Sequence, residues 1–270
     1  MTKIAIAPDY RNLLNLEGRG FVVLGAGDGI GAQISHALAQ CGARLFCADV
    51  VEERARAIAE AVGGFHGTAD VTTAEGVATV FKEAQAKLGV IRGVVDVIGV
   101  ARIKPVADFA DEEFEWQLSI ALRHALYTLR TLSGAMPEGG PVTFVGSMSG
   151  NRAVAGQVIY GMSKAALHHL VRGAAAELGP KGIRVNVIAP GFIKTPRLLE
   201  LLEQSQWDAI DRNVPLGRAA MPEEIAATLL FLSSDMASHV SGVVLPVDGG
   251  VSVKAALPDL TYGAPSGGQN

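Results

Sequence analysis

Tyr160 and Lys164 stand four residues apart at the start of a helical pattern, so both side chains project from one face. A phenol with a pKa near 10 is a poor base at neutral pH. An ammonium beside it stabilises the phenolate and is expected to lower that value, toward proton exchange with an alcohol or ketone oxygen. Taken alone, such a pair usually decorates a helix surface. It is not alone here. Ser147 lies thirteen residues before Tyr160, just past an apolar strand, and offers a hydroxyl to the same substrate oxygen. Ser147, Tyr160 and Lys164 are therefore the candidate catalytic residues.

A second constellation binds rather than reacts. Gly25-Ala26-Gly27-Asp28-Gly29-Ile30-Gly31 follows an apolar strand and opens a helix. Glycines permit the tight turn and let backbone N–H groups approach a pyrophosphate, and the helix start presents free N–H groups and its positive dipole end. Asp49 ends the next strand, 24 residues after Gly25. A carboxylate there accepts from both hydroxyls of an adenosine ribose and repels a 2′-phosphate. Asp28 adds negative charge in the loop. These features point to NAD as cofactor.

The elements that must position these residues are legible as alternation. Strand patterns cover 21–24, 44–50, 65–69, 90–98, 141–145, 184–188 and 243–247. Helical patterns cover 30–40, 52–62, 74–88, 111–135 and 160–178. Strand–helix alternation with near-continuous apolar strands predicts an α/β fold: a doubly wound, Rossmann-type, parallel seven-stranded sheet with helices on both faces. No linker interrupts 18–250, so a single domain is expected over 1–270, with its core at about 16–250 and a Pro/Gly/Ser/Ala-rich tail at 251–270.

Composition narrows the function classes. Nearly half of the 270 residues are apolar and the net charge is −4, with no run of Lys or Arg, so no nucleic-acid footprint is expected. Cys41 and Cys47 make no disulfide framework and read as small hydrophobes, which suits a reducing compartment. Residues 1–16 have no signal-peptide apolar core, and no uninterrupted apolar stretch reaches membrane-span length. A soluble, cytoplasmic protein with no metal is expected. His168 and His169 read as surface or subunit-contact residues, and Arg102, Lys104 and Arg152 as solvated rim charge.

In combination these residues resemble the short-chain dehydrogenase/reductase family, in its compact branch, over about Leu16 to Gly250. Gly25, Gly29 and Gly31 match its glycine loop, and Ser147, Tyr160 and Lys164 its catalytic serine, tyrosine and lysine. Asp70 matches the acidic residue at adenine, with Val71 beside it. Arg184-Val185-Asn186 and Pro190-Gly191 match the sixth-strand signature, and Ile193 and Thr195 the positions holding the nicotinamide carboxamide. The resemblance implies that Lys164 also holds the nicotinamide ribose, that Ile30 and Gly99 line the cofactor, and that the molecule is a homo-oligomer, tetramer or dimer. It implies interconversion of a secondary alcohol and a ketone.

Three departures stand out. The family's Asn-Asn-Ala-Gly reads Asp96-Val97-Ile98-Gly99, its threonine before the loop is Leu24, and its helical asparagine aligns with Ala121. Ser119, two residues away, is expected on another face. The alternative reading is a cofactor-binding regulatory or weakly active homologue. By resemblance the segment with Leu198, Leu199, Leu201, Leu202, Trp207 and Ile210 forms a lid, and suggests a mostly apolar substrate: steroid-, terpenoid- or acyl-like.

Overall fold

The computed structural model describes residues 7–254. Seven parallel strands form one sheet in the order β3-β2-β1-β4-β5-β6-β7. They are β1 (Gly20–Leu24), β2 (Arg44–Asp49), β3 (Phe65–Thr68), β4 (Ile91–Asp96), β5 (Gly140–Val145), β6 (Ile183–Pro190) and β7 (Val244–Val247). The helices are α1 (Gly29–Gln40), α2 (Glu52–Val62), α3 (Ala74–Leu88), α4 (Asp111–Leu118), α5 (His124–Ala135), α6 (Val158–Leu178), α7 (Pro196–Leu201), α8 (Gln204–Asn213) and α9 (Pro222–Ser233).

Side chains alternate across each strand, which is how one sheet builds two cores. Val22 and Leu24 join Val94 and Phe144 in a layer sealed by Phe81 of α3, Leu132 of α5 and Leu167 of α6. Phe21 and Val23 join Val95 and Ile188 on the other face, under Ile34 of α1, Ile58 of α2 and Leu229 of α9. Every residue of β1 is buried, the mark of a central strand covered on both sides. Gly93 of β4 has a packing reason: a Cβ there would run into the Phe21 ring.

The sheet also explains where the site lies. From β1 the chain runs outward to β2 and β3, then returns to place β4 on the other side of β1. This reversal opens a crevice at the carboxyl ends of β1 and β4, where such sheets hold ligands.

Strand ends fall within two residues of the expected bounds. The helix expected over 111–135 is interrupted: Ser119–Arg123 is a π-helical turn between α4 and α5. The expected helix at 160 begins at Val158. Of the tail, Val251–Val253 forms a 3-10 turn, and 255–270 lie outside the described residues, as do residues 1–6. Among the described residues, no helix is long and apolar enough to cross a membrane.

Candidate active site

The glycine loop closes against β2. The Asp49 carboxylate accepts from Gly27 N at 3.1 Å and from Val51 N at 3.0 Å, tying the loop to the start of α2. Gly25 has φ +78°, which glycine adopts without strain. Gly31 cannot carry a side chain, because its Cβ would overlap the Gly25 carbonyl. Asp28 caps α1, its carboxylate accepting from Gly29 N at 2.6 Å. It caps the helix and also lines the cleft that runs past the loop.

A cleft of about 700 Å³ runs past these groups, from Asp49, Asp70 and Val71 through Gly29 and Ile30 to Gly99 and Thr195. Asp70 is exposed and accepts from Thr72 N and Oγ1 at 2.9 and 2.6 Å, while Val71 is buried. A dinucleotide fits this set: a glycine cradle in which Gly27 and Gly31 leave no room for a Cβ, a helix start and a carboxylate at one end. Arg54 and Arg197 also line the cleft; neither belongs to a motif, so spacing did not single them out.

The proposed catalytic residues line an adjoining cleft. Ser147 follows β5 and accepts from Ser149 N at 3.1 Å. Tyr160 and Lys164 share the inner face of α6, and Lys164 Nζ lies 5.9 Å from the phenol ring centroid. Nζ donates to Val145 O at 2.8 Å and Ile98 O at 3.3 Å. Lys164 is only 1% exposed, and burial pulls its pKa down to about 8, against the opposing charge of Asp96. The expectation for Tyr160 is reversed. Burial pushes the phenol up to about 12, with the Ser147 hydroxyl pulling the other way. The Lys164 ammonium is directed to two backbone carbonyls, and for the phenol desolvation outweighs the Ser147 hydrogen bond.

The remaining cofactor candidates lie along the same edge. Pro190 ends β6, Gly191 packs against Asp248, and Ile193 bridges Ala220. Thr195 caps α7, its hydroxyl accepting from Leu198 N at 3.4 Å. A second cleft of about 270 Å³ adjoins the first, sharing Ile30, Ile98, Gly99 and Thr195. Its walls are mainly apolar, with Val100, Ile103, Val154, Phe192, Leu198 and Leu201. Ser147, Tyr160, Lys164, Ser149, Gln157, Thr195 and Arg197 supply its polar groups, and Ser149 Oγ donates to Gln157 Oε1 at 2.6 Å. Trp207 is buried, whereas Leu199 is largely exposed, so the leucine-rich stripe is shared between packing, cleft and solvent.

Two departures have structural consequences. Ala121 is fully buried in the π turn. Ser119 Oγ donates to Glu115 O instead of replacing the missing amide. Asp96 is fully buried; it accepts from Ile98 N at 3.0 Å and pairs with His124 Nδ1 at 2.9 Å. His124 was not singled out by sequence, because its helical position is otherwise unremarked.

His168 is not at the surface. It is 2% exposed, its Nδ1 lies 3.1 Å from Asn151 Oδ1, and Gly146 leaves room for its ring. Burial, followed by the charges of Lys164 and Arg172, pulls its pKa down to about 4. His169 is exposed. Arg102 and Lys104 both pair with Glu113, at 2.9 and 2.6 Å, and Arg152 donates to Ser252 O. These basic residues are engaged locally rather than freely solvated. No His, Cys or carboxylate cluster that could hold a metal occurs among the described residues.

A family model described as Enoyl-(Acyl carrier protein) reductase matches residues 25–252. The chain belongs to the short-chain dehydrogenase/reductase family. It is 35% identical to galactitol 2-dehydrogenase (L-tagatose-forming) of Cereibacter sphaeroides, over 91% of this chain and 99% of that protein. It is 33% identical to D-threitol dehydrogenase of Mycolicibacterium smegmatis, over 93% and 98%. Among solved structures, a 7α-hydroxysteroid dehydrogenase complexed with NADH and 7-oxo glycochenodeoxycholic acid superposes with a TM-score of 0.86 at 31% identity, covering 90% of this chain and 98% of that one. This member of the short-chain dehydrogenase/reductase family is accordingly an oxidoreductase of alcohols and ketones with a nicotinamide cofactor.

Proposed function

We propose that the protein is an NAD-dependent dehydrogenase/reductase acting on a compact, mostly apolar secondary alcohol or ketone. The observation that carries this is the convergence of Ser147, Tyr160 and Lys164 in the second cleft, which shares Ile98, Gly99 and Thr195 with the first. Asp49, Gly25, Gly29, Gly31 and the start of α1 hold the adenosine and pyrophosphate; Gly99, Lys164, Ile193 and Thr195 hold the nicotinamide end. Bound there, the nicotinamide supplies or accepts the hydride. Ser147 fixes the substrate oxygen, Tyr160 exchanges its proton, and Lys164 supports the phenolate. Departure of Ala121 from the family pattern leaves these three groups intact. We assign the protein to the cytoplasm, as a homo-oligomer.

NAD is favoured because Asp49 stands at the cleft end where a 2′-phosphate would bring a second negative charge. The apolar walls favour a hydrophobic substrate. The Ser149–Gln157 pair, together with two relatives named for polyols, favours a polyol as the second reading. The test follows nicotinamide absorbance with NAD and NADP against steroid, terpenoid, acyl and sugar alcohols and the matching ketones. Apolar substrates with NAD are expected to give the highest kcat/KM, and Asp49→Ser to erode the cofactor preference. A preference for free polyols selects the second reading. Tight cofactor binding with no turnover across the panel selects a regulatory role. Equal kcat/KM with both cofactors overturns the assignment to NAD.

A further inference from the structure

We infer that Asp96, held by His124, is a positioning residue for Lys164, acting through its negative charge and through the backbone of Ile98. The inference rests on the reading of Lys164 as part of the reaction centre. Three contacts connect the groups. His124 Nδ1 lies 2.9 Å from one carboxylate oxygen of Asp96, and Ile98 N donates to the other at 3.0 Å. Ile98 O then accepts from Lys164 Nζ at 3.3 Å. The contact from Asp96 to Ile98 bends the chain as it leaves β4, so the Ile98 carbonyl meets α6. Gly99 completes the fit, because a Cβ there would lie 2.7 Å from Nζ. Of the three ammonium donors, two are engaged by Ile98 O and Val145 O, leaving one for the cleft that Lys164 lines.

The placement argues against a merely stabilising pair. Asp96 is 0% and His124 1% exposed, on the face whose neighbours include Val94 and Phe144. Desolvating an ionisable pair there is costly, and apolar residues of similar volume often serve stability as well or better. His124 Nε2 finds no partner among the described residues. A neutral ring carrying its hydrogen on Nδ1 satisfies that geometry, donates to Asp96 and leaves the carboxylate its negative charge. That charge opposes the burial that drives Lys164 toward its neutral form. The ionisable groups facing Lys164 are Asp96 on β4, Tyr160 and His168 on α6, and His124 behind Asp96 on α5; Arg172 acts on His168.

The experiment measures Lys164 itself, by NMR of 13Cε-labelled lysine in the full-length protein across pH, alongside pH profiles of kcat and KM. Asp96→Asn is expected to lower the Lys164 titration midpoint by on the order of one pH unit, the smaller end of the range for loss of a nearby opposite charge. The alkaline limb of the oxidation profile should move down with it while KM for the cofactor holds. His124→Leu should lower the midpoint similarly, and His124→Asn, which keeps a donor near the Nδ1 position, should restore it. A midpoint unchanged in Asp96→Asn overturns the inference. If that variant does not fold, His124→Leu and His124→Asn decide, and equal midpoints in the two overturn it. Tyr160→Phe, run in parallel, separates the two claims. A normal rate in that variant defeats the catalytic reading, whereas a Lys164 midpoint that ignores Asp96 defeats only the positioning role.

Discussion

A tyrosine acid/base has two directions of work, and its environment decides which is ready at rest. In the free protein Tyr160 holds its proton, since burial lifts the phenol to about 12. Its resting form is therefore the donor that ketone reduction needs, whereas oxidation needs the phenolate. Oxidation kcat/KM should climb as pH rises from about 7 until Lys164 loses its proton, while reduction should not climb. Tyr160→Phe should slow both directions at least about a hundredfold, the scale of a positioned proton donor, with cofactor affinity retained. A Phe variant of near-normal rate refutes the role. The pairing of Tyr160 with Lys164 was legible, because helical periodicity alone puts residues four apart on one face. The direction of the phenol shift was not. It depends on how deeply tertiary packing buries the phenol and on the Ser147 hydroxyl beside it, neither of which helical spacing shows.

At the scale of elements, strands were read well because a buried parallel strand is a short, mostly apolar run, unbroken in β1 and interrupted in β6 only by Arg184 and Asn186. The π turn was not. One wider turn between α4 and α5 scarcely alters an apolar pattern that continues from Leu118 to Leu132. Ala121 sits in that turn, and Ala121→Asn tests whether the turn has room for an amide. If the buried amide stays unpaired, the variant should lose roughly 1–3 kcal/mol of stability with no gain in kcat. A gain in kcat without that loss would show that the turn accepts a polar relay. The histidines of α6 failed as a surface reading because His168 faces the Ser147 turn, a contact made only by tertiary packing. Its depressed pKa carries a sign. The folded state holds the ring neutral down to about 4, so as pH falls below 6.5 the unfolded chain takes the proton first. Stability should fall through that window, by about 3 kcal/mol at most, at roughly 1.4 kcal/mol per pKa unit. Urea unfolding near pH 7 and pH 4.5 should show a smaller loss in His168→Leu than in wild type. Equal losses would mean that His168 does not carry the effect.

The whole molecule divides at the seam between β1 and β4. On one side stand Asp49 and Asp70, at the ends of β2 and β3; on the other stand Ser147, Tyr160 and Thr195, beyond β5 and β6. One cleft spans the seam from Asp49 to Thr195, so a single dinucleotide would touch both halves. A ligand that binds only the folded chain stabilises it by mass action, about 2.7 kcal/mol at a hundred times its Kd. For a chain of this size that corresponds to roughly 5–10 °C in Tm. NAD at that concentration should give such a rise, and NADP at the same concentration a smaller one. Asp49→Ser should bring the two rises together, because the carboxylate stands where a 2′-phosphate would otherwise fit. The measurement needs no substrate, so it separates cofactor choice from the identity of the alcohol. Equal rises in wild type would remove Asp49 as the selector and point to Arg54, a cation that lines the same cleft.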